Sequence, residues 1–253
     1  MKKRTLKILL GILLAIPFCW GCFALESFIS PLGFEGKPDV LYKKDEYFAF
    51  DAQTILQDAV EGKPVQLIPV PGEPEIFPSG SPVVPWKQAD YLRVANAVFL
   101  SVWGETSANW KLKQITAQTN CAGVAFGFQR MSFMFFKIDK NEDDDMYVHT
   151  QREIFIVPEK NLIWLYERES SPVTPLRLWD IGLDVDTIIP AEEALRIVEE
   201  NGGRSARMGI DKCTISVDAI AESNDNNWQV WYSSGYNHFI KMEVDEKTGE
   251  ILR

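Results

Sequence analysis

His149 and His238 are the only histidines in this chain of 253 residues, so chemistry that needs an imidazole has two places to reside. Zinc hydrolysis requires two or three N, O or S ligands held together, and the sequence has neither an HExxH helix nor a paired-cysteine knuckle. Cys19 and Cys22 form a CxxC, but inside an apolar run where a metal or redox role lacks support. No GxSxG elbow places a serine for nucleophilic attack. His238 opens a strand whose inward phase holds Ile240 and Met242, which points to a partly buried structural histidine, and His149 follows an acidic loop and is expected to face solvent. In that loop Asp139, Asn141 and Asp143 imitate the first ligands of an EF-hand. Asp144 then replaces the sharp-turn glycine and Thr150 the bidentate glutamate, so the run reads as a solvated hairpin loop. No catalytic residue, metal site or cofactor is expected.

Binding is the chemistry that remains. Trp228 and Trp231 have opposite strand phase, so one of them points away from a helix-covered core, and Trp231, Tyr232 and Tyr236 together form the candidate contact surface for a peptide or protein. The alternative is that both sheet faces are covered, which would consume the patch. Cys121 and Cys213 each lie near the first strand of a proposed unit. They are read as buried thiols, with a bridge in an oxidising compartment as the alternative.

The N-terminus carries an export pattern. Lys2, Lys3, Arg4 and Lys7 precede an uncharged run, LLGILLAIPFCWGCFA, so residues 1–25 read as a signal peptide or a single membrane anchor. Gly21-Cys22 also has the ending of a lipobox, making Cys22 a candidate lipidation site, although Cys19 and Trp20 depart from that pattern. Each reading places the rest of the chain outside the cytoplasm. Without those four basic residues, lysine plus arginine falls from 26 to 22 against 36 acidic residues, leaving −14 on the exported part. Such a surface repels phosphate backbones, and nucleic-acid binding is excluded on that ground.

The elements that must position these side chains follow from periodicity. Residues 26–85 read as a Pro-rich linker or strap with one short helix: seven of the fourteen prolines fall between Pro64 and Pro85, and Ile55, Leu56, Ala59 and Val60 have helical spacing behind an Asp51 cap. Trp86 to Trp103 is a predicted helix with Leu92, Ala95, Phe99 and Val102 on one face and Gly104 as its stop. Strand-like WKLKQIT, AFGFQRMSFMFFKI and REIFIVPEKNLIWLYERE follow. From Pro190 a second helix carries Ala191, Ala194, Leu195 and Val198 at i, i+3, i+4 and i+7 and is expected to stop at Gly202-Gly203. Alternating strands then lead to Asp245–Gly249, where Gly249 suits a positive-φ turn.

The stretch AEEALRIVEENGG, CTISVDAIAE, NWQVWYSSG, HFIKMEVDEKTGEIL resembles the PepSY or PepSY-like domain, with its EEAL helix and closing VDxxTGEIL hairpin. The middle of the chain repeats the order helix, strand, strand, hairpin, with VPEKNLIWL beside VDEKTGEIL. The expected fold is therefore α+β: two tandem units (86–169, diverged; 170–253), each a helix packed on an antiparallel β-meander of PepSY-like or cystatin-like type, after the export segment. The resemblance implies an exported, non-enzymatic module that modulates a peptidase or another envelope protein. Alternatives are an envelope assembly protein or, less favoured, an unrecognised enzyme.

Overall fold

The computed structural model describes residues 39–77, 80–140, 147–173, 181–210, 212–221, 227–235 and 237–252. The expected export segment, with Cys22, lies outside them. Among the described residues no helix is long and apolar enough to cross a membrane.

Strands β1 (Asp39–Ala49), β2 (Ile68–Val70), β3 (Lys111–Asn120), β4 (Arg130–Lys140), β5 (Tyr147–Val157), β6 (Leu162–Val173), β7 (Thr214–Ile220), β8 (Asn227–Ser234) and β9 (Asn237–Asp245) form one antiparallel sheet in the order β2-β1-β6-β5-β4-β3-β7-β8-β9. This corrects the expectation of two tandem units. β3 pairs with β4 on one side and with β7 on the other, from Gln114 opposite Ile220 to Asn120 opposite Thr214. The edge that would have ended one sheet is thus consumed in starting the other half, and an unpaired edge is a liability that this pairing removes.

A single buried row shows that there is one core. Leu165, Ile154, Phe133, Ile115, Ala219, Trp228 and Val244 stand opposite one another across β6, β5, β4, β3, β7, β8 and β9, all fully buried. Helices α2 (Gln88–Trp103) and α3 (Ala191–Val198) cover that face. Their first turns meet where Gln88 Oε1 accepts from the backbone N–H of Ala191 at 2.8 Å.

The helices form where periodicity places them, with one adjustment. In α2 the buried residues include Tyr91, Val94, Ala95, Val98 and Phe99, so the stripe is turned slightly from the one expected and Leu92 and Val102 flank it. Asp90 accepts from the Lys87 N–H at the start, and Gly104, at φ 69°, ends it. In α3 the stripe Ala191, Ala194, Leu195 and Val198 is the buried one. The helical backbone ends as expected at Gly202: Asn201 (φ −100°, ψ 26°) and Gly202 (φ 119°, ψ −18°) leave the helical region, and beyond this kink the chain forms the short α4 (Arg204–Arg207).

The segment read as a linker carries more structure than expected. β1 spans Asp39–Ala49 and pairs with β6 along its length, and α1 (Ile55–Val60) follows the turn closed by Asp51. The short β2 contains Pro69 on an outer edge, where a missing N–H costs no ladder bond. Beyond it the chain runs as a strap: Lys160 donates to Glu75 O at 2.9 Å, Glu159 accepts from the Gly80 N–H at 3.2 Å, and Asn120 and Gln129 both donate to Gly80 O.

Cys121 and Cys213 are joined by a disulfide, with Cα atoms 5.4 Å apart, and are not the free thiols expected. They sit at the end of β3 and just before β7, where the N–H of Cys121 also donates to Cys213 O at 2.9 Å. Strand pairing brings the two Cβ atoms within bridging range.

Candidate functional site: the helix-free face of the sheet

With α2 and α3 on one side, every second residue of each strand faces the other way, onto a face that no helix among the described residues covers. One row on this helix-free face runs Tyr47, Trp164, Phe155, Ser132, Thr116, Asp218, Gln229, Glu243, aromatic at the β1 end and polar toward β9. The aromatic rings of Phe155 and Trp164 stack on each other with centroids 4.2 Å apart, and Tyr47 stacks on Trp164 at 5.9 Å.

The neighbouring row is Arg130, Gln118, Ser216, Trp231, Lys241. Arg130 is only 7% exposed, and its guanidinium carbon lies 5.5 Å from the Phe77 ring of the strap and 5.6 Å from the Phe155 ring. Burial lowers its basicity, opposed by the charges of Glu153 and Asp218. Those two carboxyls respond to the same environment. Burial pushes Glu153 up to about 7 against the Ser132 hydrogen bond and the Arg130 and Arg168 charges. It also pushes Asp218 up against hydrogen bonds from Thr116 and Ser216 and the charge of Arg130.

Beside this row a groove of about 470 Å³ is bounded by Phe77, Asp218, Ser216, Trp231 and His238. Trp231 is half-buried: Lys241 Nζ lies 4.8 Å from its ring centroid, and the His238 ring lies 5.1 Å away. His238 is exposed, not the partly buried structural residue expected, and its Nδ1 is 2.7 Å from Ser233 Oγ. The one-residue shift in register between Tyr232 and Ser233 carries it to the helix-free face.

The predicted contact residues separate. Trp231 lies on the helix-free face. Tyr232 is fully buried in the helix-covered core, where its hydroxyl bonds Glu199, so it contributes nothing to a surface. Adjacent residues of a strand point to opposite faces, and Trp231 and Tyr232 cannot share one. Tyr236 lies outside the described residues. His149 is half-buried where solvent exposure was expected; Asn141 and Asp143 of the acidic loop also lie outside the described residues.

Sequence reasoning missed Phe77, Arg130, Glu153 and Asp218. A signal for Arg130 was present in RMSFMFFKI, where Arg130 and Ser132 share the phase opposite Met131 and Phe133. Its pairing with the strap was not readable, because Phe77 is 53 positions earlier and is placed by hydrogen bonds to Gly80 and Glu75.

No family model matches the chain, and no curated protein matches it. Among solved structures, it is similar to the crystal structure of a candidate lipoprotein from Clostridium difficile 630, at 13% identity and a TM-score of 0.38, over 66% of this chain and 90% of that one.

Proposed function

We propose that this protein is an exported, non-enzymatic binding module that engages an envelope protein through the helix-free face of its sheet, with Trp231 at the centre of contact. The observation that carries this reading is the groove of about 470 Å³ between Phe77 and Trp231, bordered by exposed His238 and floored by polar residues of β3 and β7. A half-buried tryptophan beside hydrogen-bonding side chains is the composition of an interface anchor. The Cys121–Cys213 bridge supports an oxidising compartment, in line with the basic and then apolar N-terminus. The resemblance of the C-terminal part to PepSY domains supports a peptidase as the partner, with the protein acting as its modulator; an assembly role in the envelope is the second reading.

The test uses the purified full-length protein as bait in membrane extracts, beside its Trp231→Ala and His238→Ala double variant. Capture of a peptidase whose activity falls on adding wild type, and falls less with the variant, supports modulation. Capture of a non-enzymatic scaffold, again weakened in the variant, supports assembly. Equal capture by both proteins at equal melting temperature would remove Trp231 from the contact surface.

A further inference from the structure

On the helix-covered side of the sheet a cavity of about 390 Å³ opens between the β3–β4 connection and the helices α3 and α4. Its apolar lining includes Val124, in the single 3-10 turn Val124–Phe126, together with Phe128 and Leu195, which are both buried. The Tyr91 hydroxyl donates to Phe128 O at 2.8 Å and pins this connection to α2. Two strongly exposed apolar side chains directly follow lining residues in the chain: Phe126, 63% exposed, after Ala125, and Met208, 71% exposed, after Arg207.

Three arginines and three glutamates complete the lining, and their contacts sort them into pairs. Arg196 holds Glu200 and also Glu193, each at 2.6 Å. Arg207 holds Glu199, which accepts from Tyr232 as well. One charge of each sign is left over. Arg204 comes no closer than 4.0 Å to Glu199, whose oxygens already serve Arg207 and Tyr232, and its side chain is 66% exposed. Glu192 accepts a 3.4 Å bond from the Gln88 N–H and has no basic side chain at ion-pair distance among the described residues. Glu192 stands in the first turn of α3 and Arg204 beyond the kink at Gly202, so the eight residues of α3, a rise of about 12 Å, lie between them.

An ammonium at Glu192 and a carboxylate at Arg204 would each make a charge-assisted hydrogen bond that no group of the protein supplies, and the guanidinium fork matches the two oxygens of a carboxylate. A single amino acid carries both charges on one carbon and reaches only one of these residues. We infer that this cavity binds a short zwitterionic peptide of about three or four residues, its amino terminus at Glu192, its carboxylate at Arg204 and an apolar side chain on Val124, Phe128 and Leu195. An extended chain advances at most about 3.3–3.6 Å per residue, so three or four residues cover the length of α3. The volume is within the range of small-ligand pockets. This site is on the other side of the sheet from the Trp231 groove and does not rest on the partner-binding reading.

The test is calorimetric titration of the intact protein with the tripeptide Ala-Phe-Ala, its N-acetyl form and its C-terminal amide. The free tripeptide should bind at least about fivefold more tightly than either blocked form, and free phenylalanine at least about tenfold more weakly than the tripeptide. Glu192→Gln should abolish the preference for a free amino terminus while keeping that for a free carboxylate. Arg204→Gln should do the reverse, and Trp231→Ala should change neither. Neither Glu192 nor Arg204 is buried, so each variant should melt like wild type, and Glu192→Asp and Arg204→Lys should each keep part of the matching preference. No binding tighter than about 1 mM, equal binding of free and blocked peptides, or folded variants that lose both preferences or neither would overturn the assignment. Phenylalanine that binds as tightly as the tripeptide would overturn a peptide as the ligand.

Discussion

The Tyr232 hydroxyl donates a 2.6 Å hydrogen bond to Glu199 Oε1, tying β8 to the residue that caps the C-terminal end of α3. Glu199 also receives Arg207, whose Nη2 is 2.6 Å from its Oε2 and whose Nη1 reaches Cys121 O at 3.0 Å. The helix, the sheet and the disulfide thus meet at one carboxylate. Gly203 makes this possible, since a Cβ there would collide with the Tyr232 hydroxyl and approach Val198 O to 2.9 Å.

Tyr232→Phe should lower stability by about 1–2 kcal/mol, because a buried charged acceptor loses one donor, and Gly203→Ala should cost more, because backbone must shift. Burial pushes the Glu199 carboxyl up, but Arg207 and Tyr232 outweigh it and hold it below the ordinary value. A depressed carboxyl stabilises the fold above its unfolded value and loses that contribution as pH falls. The gap between wild type and Tyr232→Phe in urea unfolding should therefore narrow in acid. A constant gap would show that Glu199 does not carry it.

The Cys121–Cys213 bridge spans 92 positions and staples the β3–β7 seam. Replacing both cysteines with serine should lower stability by about 2–5 kcal/mol, as loss of a native disulfide does, and wild type with reductant should behave alike. Identical unfolding midpoints with and without reductant would show that the seam holds without it.

Glu153 is expected to make stability fall as pH rises from its ordinary value of 4.5 to about 7. In that window the folded state holds a proton that the unfolded chain has released, so each rise in pH favours unfolding. Glu153→Gln removes the effect: it should match wild type near pH 4 and melt higher above pH 7. Parallel melting curves across that range would mean that Glu153 ionises normally in the fold.

Gly249 closes the last turn at φ 75°, with its N–H on Asp245 O at 3.0 Å and Asp245 Oδ1 accepting from Lys247 and Thr248. Gly249→Val should cost about 1–3 kcal/mol, from strain at positive φ and from the 2.9 Å approach of a Cβ to Ile197 Cδ1. An unchanged melting temperature would show that this turn relaxes freely.

Periodicity and turn chemistry were enough to read α2, the stripe Ala191, Ala194, Leu195, Val198, the alternation of β7 and β8 and the Gly249 turn, because these depend on side-chain spacing within one element. β1 escaped notice because an outer strand is partly solvated on both faces, and its Lys43, Lys44, Asp45 and Glu46 blur the alternation that marks a half-buried strand. Which strand edges join was decided only in three dimensions. The groups that pair β3 with β7 are backbone N–H and C=O, the same in every sequence, so nothing in the residues announced that two expected sheets are one. That seam then settled the chemistry: it gave the nine strands a common helix-free face, sent Trp231 outward and Tyr232 inward, and brought Cys121 to Cys213.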